Sequence, residues 1–112
     1  MDFTYDEQNI FAKILRGEIP IDTVFENDHA LAFNDIEPQA PVHVLVIPKG
    51  PYVSLDDFAA NASTVEQAGF FAAIAEVCRI KDVSEGFRGI ANAREHAVQA
   101  VSYTHLTLPT IA

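Results

Sequence analysis

The residues able to do chemistry in this chain are few. Four histidines (His29, His43, His96 and His105), one cysteine (Cys78) and scattered carboxylates carry all of it. No H-x-H, C-x-x-C or H-E-x-x-H spacing is present, so no residue pattern points to a metal. Neither a P-loop nor a G-x-G-x-x-G turn is present. What remains is histidine chemistry. A histidine serves as nucleophile or general base only where a second group orients it and a third binds the substrate. His29 follows the turn pair Asn27-Asp28 and reads as a solvated turn residue. His96 sits in the charged run Arg94-Glu95-His96 and reads as surface. His43 shares one strand face with Leu45 and Ile47. It is either a core histidine bonded to the backbone or part of a site. His105, within Tyr103-Thr104-His105-Leu106-Thr107-Leu108, has no acid or base beside it in sequence. The pair Asp56-Asp57 stands at a helix start, where carboxylates complement the helix dipole, and reads as structural.

The elements that must position these groups follow from hydrophobic periodicity. Asp6 to Arg16 has helical spacing, with Ile10, Phe11, Ile14 and Leu15 on one face; Gly17 ends it and Pro20 prevents its resumption. Thr23–Glu26 and Ala30–Phe33, joined through Asn27-Asp28, predict a hairpin. Two prolines force a loop over 35–41. The β-branched run Val42–Ile47 predicts a strand stopped by Pro48. Ser54 caps a short turn through Phe58. Ser63 with Glu66 has the form of a capping box, opening a helix to about Arg79. Val65, Ala68, Phe71, Ala72 and Ala75 are expected to form its buried face. Gly86–Asn92 and Val101–Leu108 predict two more strands. The expected fold is α+β, an antiparallel sheet with two helices, in one domain spanning 1–112.

Composition narrows the function. The chain has 112 residues, 49% hydrophobic, and a formal net charge of −9. Such an acidic surface argues against nucleic acid or an anionic membrane as partner, because few cations are available to displace counterions. A single small nucleotide is still possible, since backbone N–H groups and one or two histidines can hold a phosphate. One cysteine excludes an internal disulfide and fits a reducing compartment. The acidic N-terminus lacks the basic and apolar regions of a signal peptide, and no apolar run is long enough to span a bilayer. A cytoplasmic protein is expected.

Two long segments carry a family resemblance. Asn9-Ile10-Phe11-Ala12-Lys13-Ile14-Leu15-Arg16-Gly17-Glu18-Ile19-Pro20 resembles the opening helix of histidine-triad (HIT) nucleotide-binding proteins. The block from Ala32-Phe33-Asn34-Asp35-Ile36-Glu37-Pro38-Gln39-Ala40-Pro41 through Val42-His43 to Pro48-Lys49 is similar to the family's central block almost residue for residue. Gly86–Asn92 looks like the strand before the family's catalytic loop. The resemblance covers about residues 6 to 101. It implies a purine nucleotide as ligand and a homodimer in which strands and the second helix meet across a two-fold axis. Ile10, Phe11, Ile14, Phe33 and Ile36 are implied as the nucleoside pocket, with Asp35 accepting from the ribose hydroxyls. Asn92 is implied near the phosphate, Gln99 as a nucleotide-binding residue just before the triad, and His43 as a support for the catalytic histidines. The implied parent activity is hydrolysis of nucleoside phosphoramidates or related phosphates through a histidine nucleophile, with no cofactor and no metal.

The resemblance breaks at the motif that gives the family its name. Three alternating histidines would line one strand face. Counting from Asn92 and Gln99-Ala100-Val101, the triad positions here are Tyr103, His105 and Thr107. Only the middle one is histidine, which makes His105 the candidate nucleophile. The segment 102–112 resembles adapter read-through at the end of a gene and is expected to be a non-native tail. Two functional readings stay open: a nucleotide hydrolase whose activity in this chain is in doubt, and a non-catalytic module that binds nucleotides or a protein partner.

Overall fold

A computed structural model describes residues 7–8, 10–35, 41–83 and 85–91, together with the backbone of 104–108. The sequence-predicted residues Ile36, Asn92, His96, Gln99 and Tyr103 lie outside the described residues. Helix α1 (Ile10–Leu15) precedes strands β1 (Thr23–Glu26), β2 (Ala30–Asn34) and β3 (Val42–Pro48). Helices α2 (Leu55–Asn61) and α3 (Thr64–Lys81) follow, then β4 (Arg88–Ala91) and β5 (Thr104–Leu108). Among the described residues the strands form one sheet in the order β1-β2-β3-β5-β4, antiparallel at every pairing. The expected α+β architecture is present. The short turn expected after Ser54 is a helix of its own, α2.

Strand alternation divides the sheet into two cores. Ala30, Ala32, Val44 and Val46 face α2 and α3, where Phe58, Phe70, Ala73 and Val77 cover them. Leu31, Phe33, Leu45 and Ile47 face the other way, against Phe11 and Ile14 of α1. The small side chains of Ala30 and Ala32 let α3 approach β2 closely, and both are fully buried. Full burial of Val44 and Val46 contributes ~1.5–3 kcal/mol each. α1 is shorter than its apolar pattern suggested. Its stop is where the sequence put it: Gly17 adopts φ +79°, a conformation only glycine enters without strain.

The buried face of α3 corrects the sequence expectation. The side chains on the sheet are Phe70, Ala73 and Val77, while Val65, Ala68, Phe71, Ala72 and Ala75 are exposed, Phe71 to 58%. The helix is apolar on two sides, so periodicity alone could not say which side meets the sheet. Its start is as expected. Ser63 and Glu66 exchange both bonds of a capping box. The Ser63 N–H, then the Tyr52 hydroxyl, hold the Glu66 carboxyl below the usual range, and burial pushes the Tyr52 phenol up. Asp57 is structural, as read: it is buried and accepts from Val53 N–H and Asn61 Nδ2.

His29 is a second correction. It is half-buried rather than solvated, because the hairpin turn is pinned to α3. Asn27 Nδ2 donates to the Gly69 carbonyl at 2.8 Å, and Asn27 Oδ1 accepts from His29 N–H and Ala30 N–H. A glycine inside a helix costs about 1 kcal/mol relative to alanine. At Gly69 the reason is close approach: a Cβ there would lie 2.8 Å from His29 Cβ and 2.7 Å from Cδ2. Gly69→Ala is therefore expected to destabilise the protein by ~1–3 kcal/mol despite its higher helix propensity. Urea unfolding that finds the variant as stable as the parent would show that the hairpin does not bear on the helix in this way.

Candidate functional site

The candidate site forms where β2 and β3 run out at the edge of the α1-facing core. Two strands bring the groups together. β2 delivers Phe33 and, one residue past Asn34, Asp35; β3 delivers His43 and Leu45 in antiparallel register, Phe33 opposite Leu45 and Asn34 opposite Val44. The pairing continues one step further, with Asp35 N–H donating to the His43 carbonyl at 3.0 Å. Two residues eight apart in sequence are thereby fixed side by side. Asp35 Oδ2 lies 3.5 Å from His43 Nε2, and the His43 side chain is only 3% exposed. His43 is thus both a core residue, as the plain reading had it, and a neighbour of the candidate ribose acceptor.

Above this pair lies an apolar cleft. Ile10, Phe11, Ile14, Phe33 and Asp35, all named from sequence, line it together. Its open space, mouth included, is about 430 Å3. Sequence reasoning missed five lining residues: Ile19, Pro20, Ile21, Asn34 and Leu45. Pro20 was read only as a helix stop, yet the stop turns 19–21 back to form a wall. That wall is tied to β2 at its end. Asn34 Nδ2 donates to Asp22 Oδ2 at 2.8 Å, and Asn34 N–H donates to the Asp22 carbonyl at 2.9 Å. The signal available in sequence was the apolar Ile19-Pro20-Ile21 run outside any element.

β5 lies between β3 and β4, so position 105 comes to the middle of the sheet. Its Cα partners are Leu45 on β3 and Ile90 on β4, while position 107 stands opposite His43. The candidate nucleophile position is therefore two residues along β5 from the register partner of His43. Cys78 is a poor alternative nucleophile: burial pushes its thiol up, away from the reactive thiolate. Among the described residues no cluster of three His, Cys, Asp or Glu could hold a metal, and no helix is long and apolar enough to cross a membrane.

Comparison with known proteins matches the fold. Residues 16–108 match the HIT domain, a span that runs through β5 and past the limit of the resemblance read from sequence. A HIT-like protein of Azospirillum brasilense is 55% identical over 104 residues, covering 92% of this chain and 85% of that protein. The purine nucleoside phosphoramidase of Escherichia coli K12 is 38% identical over 105 residues, covering 91% and 86% respectively. In three dimensions, a HIT family hydrolase from Legionella pneumophila superposes with a TM-score of 0.81 at 31% identity, covering 93% of this chain and 95% of the other.

Proposed function

The chain belongs to the HIT domain family, and on that premise we propose that it holds a purine ribonucleoside phosphate with the base in the α1–β2 cleft and the ribose on Asp35. The observation that carries the reading is the placement of one carboxylate, beside Asn34, in a largely apolar pocket. Ile10, Phe11, Ile14 and Phe33 offer a purine flat apolar walls. Asp35 offers two vicinal hydroxyls paired acceptors. Ile36 is assigned to the same wall, Asn92 to the phosphate, and Gln99 to nucleotide binding just before the triad. A relative named a purine nucleoside phosphoramidase supports the choice of base and of phosphorus chemistry. The single, half-buried Cys78 suits a cytoplasmic setting.

Asp35→Ala is expected to weaken a ribonucleotide by ~1.5–3 kcal/mol, the worth of a charge-assisted hydrogen bond, and to affect the 2′-deoxy counterpart much less. Calorimetry giving equal losses for both sugars would reject the ribose assignment.

The same reading includes a homodimer. On the outer side of α3, Val65, Ala68, Ala72 and Ala75 recur at helical spacing beside Phe71, all exposed. β4, pairing only with β5 among the described residues, ends the sheet with exposed Phe87 beside it. A self-complementary contact through these two elements is the usual way a small domain covers such surface. Sedimentation at micromolar protein is expected to give a dimer. A monomer there, or a dimer indifferent to Phe71→Lys, counts against this arrangement.

For catalysis we assign His105 as nucleophile and expect little turnover. Departure of an amine needs general-acid help, worth ~10²–10⁴ in rate. A tyrosine side chain, with a reference value of about 10, replaces an imidazole poorly as an acid near neutral pH, and a threonine supplies no acid in that range. Tyr103→His with Thr107→His is expected to raise hydrolysis of adenosine phosphoramidate, and His105→Ala to abolish the gain. Enzyme-like turnover by the unaltered chain, insensitive to His105→Ala, would instead place the chemistry elsewhere. The substitution of two triad positions also favours a second reading, a module that binds the nucleotide without reacting it.

A further inference from the structure

Asp35 faces in two directions. It lines the cleft, and its Oδ2 lies 3.5 Å from the Nε2 of a histidine that the cleft lining does not include. His43 sits behind Asp35, with a side chain 3% exposed against 19% for the carboxylate. The pair is held by main chain rather than by long side chains, since the Asp35 N–H bonds the His43 carbonyl where the β2–β3 ladder ends. On its far side His43 meets β5, with position 107 as its register partner.

We propose that Asp35 is a shared carboxylate: it positions the His43 imidazole when the cleft is empty and divides its acceptor capacity between His43 and the ribose when the cleft is filled, so that His43 senses ribose occupancy and relays it to β5. The proposal rests on the nucleoside reading of the cleft. A carboxylate offers about four lone-pair directions on two oxygens. Two hydroxyl donors arriving at one edge draw density from the edge facing His43 Nε2. A neutral imidazole carries its proton on one of two nitrogens, and the partner at one nitrogen decides which. A carboxylate beside Nε2 favours Nε2–H, and weakening it moves the proton balance toward Nδ1. Because the imidazole is shielded from water, this pull is screened less than at the surface. His43 therefore acts as a positioning residue whose state differs between empty and ribose-filled protein. A base in the cleft without hydroxyls would leave it unchanged.

The test uses the whole chain, labelled with nitrogen-15, and reads the imidazole signals of His43, assigned by their loss in His43→Gln. The two probes are adenosine and 2′,3′-dideoxyadenosine, each added to saturation as judged by calorimetry. Adenosine is expected to bind roughly tenfold or more tightly than the dideoxy compound. It should shift the His43 signals toward the Nδ1–H form, while dideoxyadenosine leaves them in place. Asp35→Asn should move the signals in the empty protein and abolish the further response to adenosine. Equal shifts with both nucleosides in the unaltered chain, or a full adenosine response in Asp35→Asn, overturn the proposal. Beyond the assigning variant His43→Gln, the first comparison uses the unaltered chain alone. Binding of adenosine with unmoved His43 signals defeats the relay and leaves the nucleoside site standing, whereas no binding of either probe defeats the nucleoside reading and the ribose half of the proposal together.

Discussion

The antiparallel pairing of β2 with β3 is the constraint on which the rest of the molecule depends. Five register pairs, from Ala30 opposite Pro48 to Asn34 opposite Val44, hold two strands whose side chains are almost all buried on both faces. A slip of one residue would exchange the faces: the alanines that admit α3 would turn toward α1, and Phe33 and Leu45 would meet Phe70 and Val77. No small adjustment of side chains could repair that, because each face is matched in size to its own helix. The pairing also sets the chemistry. Asp35 and His43 are neighbours only because the ladder extends one hydrogen bond beyond its last formal pair.

The two faces divide the work. The α3 side is tightly filled, with five residues of the cluster at zero exposure and a glycine spent on close approach. The α1 side is covered by a helix of only six residues, which leaves part of Phe33 and Leu45 to line a cleft. A longer α1 would fill that space. Gly17 and Pro20 are therefore as much a part of the site as its walls, since they end the helix early and return Ile19-Pro20-Ile21 to the sheet. The Asp22–Asn34 bonds then fix the return at the point where Asp35 begins.

What was legible in the sequence follows from these roles. Strands β1 to β3 were legible because β-branched runs and turn pairs bound them closely. The capping box at Ser63 was legible because two side chains and a fixed spacing define it. Ile10, Phe11, Ile14, Phe33 and Asp35 were legible as a group through a long specific resemblance, and all five line the cleft. The face of α3 was not, because apolar residues occupy two sides and only the small residues of β2 decide which side packs. Nor was the place of His29, whose burial depends on a glycine forty residues away. Residues 19–22 were missed as a wall because a stretch outside helix and strand carries no periodicity to read. Leu45 was read as core, and the opening beside it depends on how little of the sheet α1 covers.

An acidic chain offered as a binder of anions calls for a physical account, and the division of faces supplies one. Net charge acts at long range and is screened within about 8–10 Å at ordinary ionic strength. It slows the approach of a nucleotide more than it weakens a seated one. What the cleft needs locally is apolar area for the base, acceptors for ribose, and donors for phosphate. Apolar walls and one carboxylate line the cleft. A carboxylate next to the phosphate would be costly, and on the proposed reading Asp35 avoids that cost by standing at the ribose end with His43 behind it. On the proposed reading an acidic surface and an anionic ligand are compatible: the repulsion is spread over a solvated exterior and screened there, while the cleft meets the base with apolar side chains and the ribose with Asp35.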